Sequence, residues 1–466
     1  MFIGRQRELA DLNERYNSGG FEFAVIYGRR RVGKTTLLNE FIKDKESIMY
    51  SATETNSRKN LEALSESIYA LSDDFGGGSS TGTFKDFQSA FETVFKIAEK
   101  RRIVLVVDEY PYLAACSKGI ASILQHIIDK NKRNSNLFLI LCGSSISFME
   151  EKVMGGKSPL YGRKTCQYKI LPFEFFELRD YYSKFKPEDL AVIYGITGGI
   201  PLYMSHMNQK LSVAQNIKNN FLHPNSFLFE EPTNLINQEC RDASQYNSII
   251  GAAAEGATRL SEICSKTSLD TALATSYLKK LIGLGIIKKE TPFGNPKSKK
   301  PIYLLNDSMF RFWYRFVQSN ISAINRRLAD NVYNRIESQI PGFMGAVFEE
   351  ICKQYLWKLQ VDGKEIIEFT DLGRWWGSDP RTRSQVEIDI IGTADKNTAL
   401  FAECKWTNEK IDLSVLETLI TRSELFNYKN KHFYLFAKKG FTKGCVARAS
   451  ELGNIKLVTY SEIITC

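Results

Sequence analysis

The fold of this 466-residue chain is decided by the stretch Gly28-Arg29-Arg30-Arg31-Val32-Gly33-Lys34-Thr35. It fits the phosphate-binding pattern G-x-x-x-x-G-K-[ST] at every fixed position. The apolar run 23–27 before it predicts a buried strand, and residues 36–42 after it have helical spacing. A strand, a glycine-rich turn and a helix N-terminus present backbone N–H groups to a chain of phosphates. The alternative, a glycine-rich turn that arose by chance, leaves both flanking elements unexplained.

The pattern assigns a role to each of the last two residues of this phosphate loop. Lys34 reaches the β- and γ-phosphates of a nucleotide, and the hydroxyl of Thr35 binds Mg²⁺. The three consecutive arginines either face the nucleotide or a partner surface, or they are mostly solvated, because only the loop backbone and Lys34 need to touch phosphate. We expect the nucleotide to be bound by Gly28, Arg29, Arg30, Arg31, Val32, Gly33, Lys34, Thr35 and Thr36.

Two further apolar runs end in polar residues that suit a nucleotide site. Residues 103–107 predict a strand that ends in Asp108 and Glu109. In a parallel sheet this end opens on the ligand crevice, so Asp108 is expected to hold Mg²⁺ and Glu109 to act as general base. Residues 137–142 predict a strand between the two motif strands, and Ser144 at its tip is expected to bind the γ-phosphate or the attacking water. The alternatives are solvated acids for the first strand and ordinary helix capping by Ser144 for the second.

With these stretches, the chain resembles the AAA+-related STAND-type ATPases, specifically the archaeal-type P-loop ATPase family. The opening residues 2–9, which include Arg5, look like the family motif that lies beside the adenine. Residues 158–163 resemble its arginine stretch, and residues 197–203 look like its Gly-Gly-x-Pro segment near a helical lid. The resemblance implies that Arg163 senses or stabilises the γ-phosphate, in its own subunit or on a neighbour. A surface salt bridge is the alternative for Arg163.

The middle of the chain predicts a helical lid or connector over residues 206–245 and a winged helix over 246–318. A turn is expected at residues 230–232 of the connector. Two helices and a hairpin with a basic tip at 297–300 make up the winged-helix pattern. It predicts a DNA partner, and a protein partner is the alternative because winged helices also dock proteins. The residues expected toward DNA are Thr271, Thr275, Ser276, Lys279 and Lys280, with Lys297, Lys299 and Lys300 at the tip.

The C-terminal residues 319–466 carry a second constellation. Asp389, Glu403 and Lys405 form D-x(13)-E-x-K on a predicted hairpin, which resembles the PD-(D/E)xK nuclease superfamily. The resemblance implies Mg²⁺ or Mn²⁺ on Asp389 and Glu403, a Lys405 that orients water or stabilises developing charge, and Glu349 as an additional acid on a helix that follows Gly342 and Gly345. Residues 373–377 also fit the domain that accompanies this ATPase family. The alternatives are ordinary hairpin charges, or a nuclease fold that no longer cuts.

Composition limits the class of protein. A hydrophobic fraction of 43% and a charged fraction of 25% are typical of a globular chain, and a net charge of +9 permits nucleic-acid contact. Nine scattered cysteines without C-x-x-C pairs predict reduced thiols and a cytoplasmic protein. No apolar run is long enough to span a bilayer, so no membrane partner is expected. Only four histidines occur, which disfavours a His-rich metal site.

These observations predict an α/β multidomain protein. A P-loop ATPase domain over residues 1–205 has a parallel sheet, and the lid, the winged helix and a C-terminal α/β restriction-endonuclease-like domain follow it. The expected function is Mg²⁺-dependent ATP hydrolysis that switches a DNA-directed, metal-dependent nuclease-like domain. The alternative is a nucleotide-dependent scaffold that binds DNA or protein without cutting. The family resemblance also allows a homo-oligomer.

Overall fold

The computed structural model describes residues 3–71, 82–365 and 367–466, which fall into two compact units. The first unit runs to Pro172 and includes Ile200–Leu202, and the second comprises Phe173–Gly199 and Tyr203–Cys466. Phe2 of the predicted opening motif lies outside the described residues. The finer division at residues 205, 245 and 318 stays a prediction.

The first unit is built on a parallel sheet, as the phosphate-loop pattern predicts. The order of its described strands is β2-β3-β4-β1-β5, and every neighbouring pair is parallel. Strands β3 and β4 are buried along their whole length, because helices cover both faces of the sheet. The strands are β1 Glu22–Tyr27, β2 Ser47–Ser51, β3 Ile103–Asp108, β4 Leu137–Gly143 and β5 Cys166–Lys169.

Two apolar clusters, one on each face of this sheet, form the core of the first unit. Phe23 and Val25 of β1 point into one cluster, and Ala24 and Ile26 point into the other. This alternation follows from the two-residue period of a strand. The helices that cover the faces are α1 Gln6–Asn17, α2 Lys34–Ile42, α3 Ser57–Tyr69, α4 Phe87–Lys100, α5 Tyr110–Cys116, α6 Ile120–Asn131 and the short α7 Ile146–Phe148.

Helices dominate the first part of the second unit. The turn expected at residues 230–232 is wrong, because α12 continues through Pro232. Leu228, Glu231, Leu235 and Ile236 are buried along this helix, and their packing outweighs the hydrogen bond that a proline removes. The helices are α8 Phe175–Arg179, α9 Pro187–Thr197, α10 Pro201–Ser205 at the crossing between units, α11 Val213–Phe221, α12 Phe227–Glu239 and α13 Ala243–Ala254.

The helices and the hairpin predicted for residues 260–305 are present. They are α14 Leu260–Thr267, α15 Thr271–Gly283 and the antiparallel strands β6 Ile287–Glu290 and β7 Ile302–Leu305. Asp270 caps α15 by accepting a hydrogen bond from the Leu273 N–H. A helical run with buried aromatic side chains follows, in α16 Ser308–Phe312, a π-helical turn Trp313–Val317, α17 Ile321–Asn325 and α18 Ala329–Ile336.

The second unit ends in a separate mixed sheet. Its order among the described strands is β12-β11-β10-β9-β8. The pairs β8–β9 and β9–β10 are antiparallel, and the pairs β10–β11 and β11–β12 are parallel. The strands are β8 Asp371–Ser378, β9 Gln385–Thr393, β10 Thr398–Lys405, β11 Asn430–Ala437 and β12 Ile455–Thr459. The accompanying helices are α19 Ile340–Val361, α20 Leu413–Ser423, α21 Lys443–Leu452 and α22 Tyr460–Thr465.

One helix boundary differs from the expectation. Gly342 and Gly345 lie inside α19, which begins at Ile340 and not after the glycines. Pro341 suits the first helical turn because its missing N–H would have no partner there. Buried Phe343, Met344 and Val347 extend the apolar side of the helix through both glycines.

Two further expectations concern the whole chain. Among the residues described, no helix combines the length and the apolar character needed to cross a membrane. All nine cysteines are free thiols, as the absence of paired spacing predicts.

Candidate functional site

The phosphate loop depends on glycine at two positions. A Cβ at Gly28 would lie 2.2 Å from the carbonyl oxygen of Ile170, so no larger residue fits beside the end of β5. Gly33 caps α2 with φ = 87°, a left-handed conformation that glycine adopts without strain. These two positions bring the loop close to neighbouring backbone and place the N-terminus of α2 at the carboxyl end of β1.

Lys34 is buried inside the loop that it follows. Its Nζ donates hydrogen bonds to the carbonyl oxygens of Gly28 (2.9 Å) and Arg29 (3.0 Å). Burial lowers the pKa of the ammonium, and the carboxylates of Glu109 and Asp108 partly offset this effect. The cation therefore stands at the centre of the loop, beside both acidic residues of the predicted site.

Thr35 and Asp108 are brought together from different elements. The Oγ1 of Thr35 donates to Oδ2 of Asp108 at 2.8 Å, and the buried carboxylate also accepts the Glu109 N–H at 2.9 Å. A hydroxyl and a carboxylate are the oxygen ligands that Mg²⁺ prefers. The donor set therefore fits Mg²⁺ and gives no preference for Mn²⁺.

Glu109 is held by the strand between the two motif strands. β4 lies between β1 and β3, as predicted, so the tips of β3 and β4 are adjacent. The Oγ of Ser144 donates to Oε2 of Glu109 at 2.9 Å, and the Ser144 N–H donates to the same oxygen at 3.3 Å. Glu109 has a left-handed backbone, with φ = 50°. A role of Ser144 toward the γ-phosphate stays a prediction, while its contact in this structure is with the expected base.

Arg5 lies against the phosphate loop. Its Nη2 donates to the carbonyl oxygen of Val32 at 3.2 Å and also to that of Leu171, while Nη1 pairs with Glu8 at 3.3 Å. The contact with Leu171 ties the loop to the segment after β5. Sequence reasoning missed Ile170 and Leu171, because their role lies in backbone carbonyls that any residue type supplies.

Two of the loop arginines contact other segments of the first unit. Arg30 donates to the hydroxyl of Tyr112 on α5 at 2.7 Å, which sequence reasoning also missed. Arg31 has φ = 73°, and its carbonyl oxygen lies 3.5 Å from the Leu202 N–H. A Cβ at Gly33 would lie 3.7 Å from the ring of Pro201. The Gly-Gly-x-Pro segment thus reaches the loop through its proline end.

Arg163 lies at a different edge of the sheet. It precedes β5 near the level at which β1 begins, because the Thr165 N–H donates to the Phe23 carbonyl oxygen at 2.8 Å. The phosphate loop follows the opposite, carboxyl end of β1. The guanidinium binds Asp129 of α6 at 2.6 Å through Nη2 and at 3.0 Å through Nε. The structure therefore does not bring Arg163 to the loop of its own subunit.

The second constellation lies on β9 and β10. Asp389 and Glu403 are each 6% exposed, and Oδ2 of Asp389 accepts the Cys404 N–H at 2.9 Å. Lys405 Nζ contacts Oε1 of Glu403 at 2.5 Å. Burial, and then the nearby Glu403 carboxylate, raise the pKa of Asp389 to about 6. The buried Oε2 of Glu403 has no hydrogen-bond partner, and its ion-pair partner is Nη1 of Arg422 at 3.8 Å.

Glu349 is paired with a cation in this structure, and its role as a metal ligand stays a prediction. It pairs with Arg374 of β8, although burial and the charge of Asp389 raise its pKa. Within the described residues, no group of three or more His, Cys, Asp or Glu side chains is arranged to hold a metal ion. The pairing with Arg374 was missed because it joins residues 25 positions apart.

The residues expected to face DNA are on the surface. Each of these side chains on α15 and in the hairpin loop is exposed: Thr271, Thr275, Ser276, Lys279, Lys280, Lys297, Lys299 and Lys300. Ala274, Leu278 and Leu281 on the other side of α15 are buried. The exposed side of the helix and the hairpin tip are therefore available to a partner.

Comparisons with known proteins agree with the geometry of the first unit. An ATPase domain found predominantly in Archaea matches residues 2–207, and a family of archaeal and bacterial proteins of unknown function matches residues 313–416. An uncharacterized protein of Methanocaldococcus jannaschii is 34% identical over 412 residues, or 88% of each chain. An uncharacterized ATP-binding protein of the same organism is 41% identical over 46 residues, which cover 10% of this chain and 78% of that one.

A solved structure shows the same fold. The Walker-type ATPase of Pyrococcus abyssi aligns with 67% of this chain and 96% of its own, with a TM-score of 0.53 and 17% identity. At that identity the likeness concerns the fold alone. The family match, the relative that aligns along most of its length, the phosphate loop and the Thr35–Asp108 pair lead to one assignment. This chain belongs to the family of ATPases found predominantly in Archaea, and that membership supports ATP binding and hydrolysis.

Proposed function

We propose that the protein is an ATP-driven switch, in which hydrolysis at the phosphate loop changes the course of the chain that leads into the second unit. The observation that carries this proposal is the pairing of Thr35 with Asp108 and of Ser144 with Glu109 beside Lys34. The loop backbone and Lys34 would hold the phosphates of ATP, and Thr35 and Asp108 would hold Mg²⁺, which neutralises phosphate charge when bound. Glu109 orients water and accepts its proton.

The chain path supports the switch. The chain leaves the first unit after Pro172 and passes through it again at Ile200–Leu202. Arg5 binds the carbonyl oxygens of both Val32 in the loop and Leu171 beside the exit. Pro201 lies next to Gly33 at the re-entry. Phosphate bound in the loop would compete with these contacts, so nucleotide affinity and chain position are linked.

The test is Mg²⁺-dependent ATP hydrolysis by the full chain. Lys34→Ala should abolish ATP binding and turnover, whereas Glu109→Gln should bind ATP and lose about 100-fold or more in turnover. Lys43→Ala is the matched control, because Lys43 is an exposed lysine at the end of the same helix. Unchanged turnover in Lys34→Ala would overturn the proposal.

We propose further that the C-terminal sheet is a nuclease-like centre. The supporting observations are the two buried acids on neighbouring antiparallel strands, the Glu403 oxygen that accepts no hydrogen bond and the adjacent Lys405. Asp389 and Glu403 would hold Mg²⁺, and the Lys405 ammonium would stabilise charge at phosphate. Helices α14 and α15 with the β6–β7 hairpin have the element order of a winged helix, and their exposed lysines would bind the phosphates of DNA.

Incubation with duplex DNA, Mg²⁺ and ATP separates a nuclease from a non-cutting scaffold. Cleavage that is lost in Asp389→Ala and in Lys405→Ala supports the nuclease. Intact DNA that is bound tightly, with affinity that falls steeply with salt, supports the scaffold. Replacing Lys279, Lys280, Lys297, Lys299 and Lys300 by alanine should weaken binding in both cases.

We also propose that Arg163 acts on the nucleotide of a neighbouring subunit in a homo-oligomer. Its place at the edge of the sheet opposite the phosphate loop, where Asp129 holds the guanidinium, favours action in trans over action in cis. If so, mixing Arg163→Ala with Lys34→Ala subunits should restore turnover at mixed interfaces, because each variant supplies the part that the other lacks. Absence of restoration in stable mixed oligomers would contradict action in trans.

A further inference from the structure

Arg374 occupies an irregular position opposite Asp389. The pairing of β8 with β9 runs through Gly373–Ile391 and resumes at Trp375–Ile388, so Asp389 and Ile390 face the single residue Arg374. Such a bulge redirects a side chain, and bulges are frequent beside functional sites. The irregularity places a permanently charged guanidinium at the acidic centre.

The positive charge of Arg374 attracts the carboxylates of this centre. Its Nη2 pairs with Glu349, and its positive charge also attracts Asp389 and Glu387. The side chain is 20% exposed, so water screens these interactions only in part. A second guanidinium, that of Arg311, interacts electrostatically with Glu349, and burial lowers its pKa to about 10. The guanidinium groups of Arg374 and Arg311 therefore already balance negative charge that would otherwise attract a divalent cation.

The β6–β7 hairpin holds Arg374 in this place. The Phe293 N–H, in the loop after β6, donates to the Arg374 carbonyl oxygen at 2.9 Å. The Phe293 ring covers Gly373 so closely that a Cβ there would lie 2.7 Å from it. The ring also packs against the apolar cluster that contains Ile388. Burial acts to raise the pKa of Glu290 on β6. The nearby cations Lys288, Lys353 and Arg374 outweigh burial, and the pKa is lowered.

We propose that the β6–β7 hairpin and Arg374 form an autoinhibitory clamp, in which the guanidinium neutralises Glu349 and Asp389 and excludes a divalent cation until the hairpin leaves β8. The clamp rests on the nuclease-like centre proposed above and states how that centre is kept inactive. When Phe293 leaves Gly373, the bulge is free to relax and Arg374 to turn away from Glu349. Glu349, Asp389 and the Glu403 oxygen that accepts no hydrogen bond then become available to one cation.

The test measures cation binding and needs no cleavage. Nucleotide-free full-length protein carrying Asp108→Asn, which removes the first site, is titrated with Mn²⁺ as a paramagnetic probe. We expect Arg374→Gln to raise the affinity for Mn²⁺ at least about tenfold, since it removes one positive charge at close range. Phe293→Ala should raise it by a smaller factor. Arg381→Gln is the matched control, because Arg381 pairs with Asp379 and Glu424 on the surface of the same domain.

The outcomes distinguish a failure of the clamp proposal from a failure of the proposed metal centre. A gain in Arg374→Gln that disappears in Arg374→Gln/Asp389→Asn supports the clamp. Equal, Asp389-dependent binding by the parent and by Arg374→Gln overturns the clamp and leaves the metal centre standing. No binding by any variant, with unchanged thermal unfolding of each, overturns both the clamp and metal-dependent cleavage.

Discussion

The Oγ of Ser144 lies 2.9 Å from Oε2 of Glu109, so the residue at the tip of β4 holds the carboxylate at the tip of β3. A charged acceptor makes this hydrogen bond stronger than one between neutral groups. Because the Ser144 N–H contacts the same oxygen, the carboxylate is oriented by one residue through two donors.

The Ser144–Glu109 bond predicts a loss of turnover in Ser144→Ala. Hydrogen bonds to charged groups contribute about 1.5–3 kcal/mol, so turnover should fall about 10- to 100-fold. ATP affinity should change little, because Ser144 contacts the base in this structure. Steady-state hydrolysis and equilibrium ATP binding measure the two effects, with Ser145→Ala as the control. A variant with wild-type turnover would show that Glu109 needs no such support.

The Thr35–Asp108 bond predicts weaker Mg²⁺ binding in Thr35→Val. The substitution keeps the shape of the side chain and removes the oxygen ligand, so the Mg²⁺ concentration for half-maximal hydrolysis should rise about tenfold or more. Titration of activity with Mg²⁺ at fixed ATP measures it. Thr93→Val on α4, whose hydroxyl donates to the backbone carbonyl of Ser89, is the control. An unchanged Mg²⁺ dependence would remove Thr35 from the metal site.

The close approach at Gly28 predicts a loss of stability in Gly28→Ala. A Cβ 2.2 Å from the Ile170 carbonyl oxygen forces backbone to move, which costs about 1–3 kcal/mol and displaces the loop. Thermal unfolding and ATP binding should both decrease. Gly119→Ala is the control, since a Cβ there meets no atom within 4 Å. Equal stability of the two variants would contradict the close approach.

The raised pKa of Asp389 predicts that the free energy of unfolding of the metal-free protein depends on pH. The folded state favours the protonated acid, whose pKa is about 6 against 3.8, so stability should fall as the pH rises from about 4 to 6 and then level off. The total change is up to about 3 kcal/mol. Denaturant unfolding across this range, with chelator present, measures it. Asp389→Asn should reduce the slope, to which Glu349 with its raised pKa also contributes, and exposed Asp371→Asn should retain it. An unchanged slope in Asp389→Asn would assign it to another group.

The sequence by itself determined the features whose physics is local. Gly28 to Thr35 form one contiguous turn before a helix, and Asp108 and Glu109 end a continuous apolar run, so the neighbouring residues alone predict their structure. The hairpin that carries Asp389 and Glu403 was equally visible in two-residue alternation. Local rules failed at Pro232 and at Gly342, where buried side chains along α12 and α19 outweigh helix-breaking residues.

Only the tertiary structure decided which distant groups meet. The Ser144–Glu109 bond needs the order of strands in the sheet, and the Arg163–Asp129 pair needs the packing of α6 beside the start of β5. The Arg374–Glu349 pair depends on a β-bulge that no sequence pattern predicted. Such contacts arise because the burial of many apolar side chains fixes the chain path, and the energies of the polar pairs are too small to set that path themselves. The phosphate loop could therefore be predicted from eight consecutive residues. The hydrogen bond that supports its base, its contacts with the chain at Leu171 and Pro201, and the proposed clamp on the second centre depend on the folded chain.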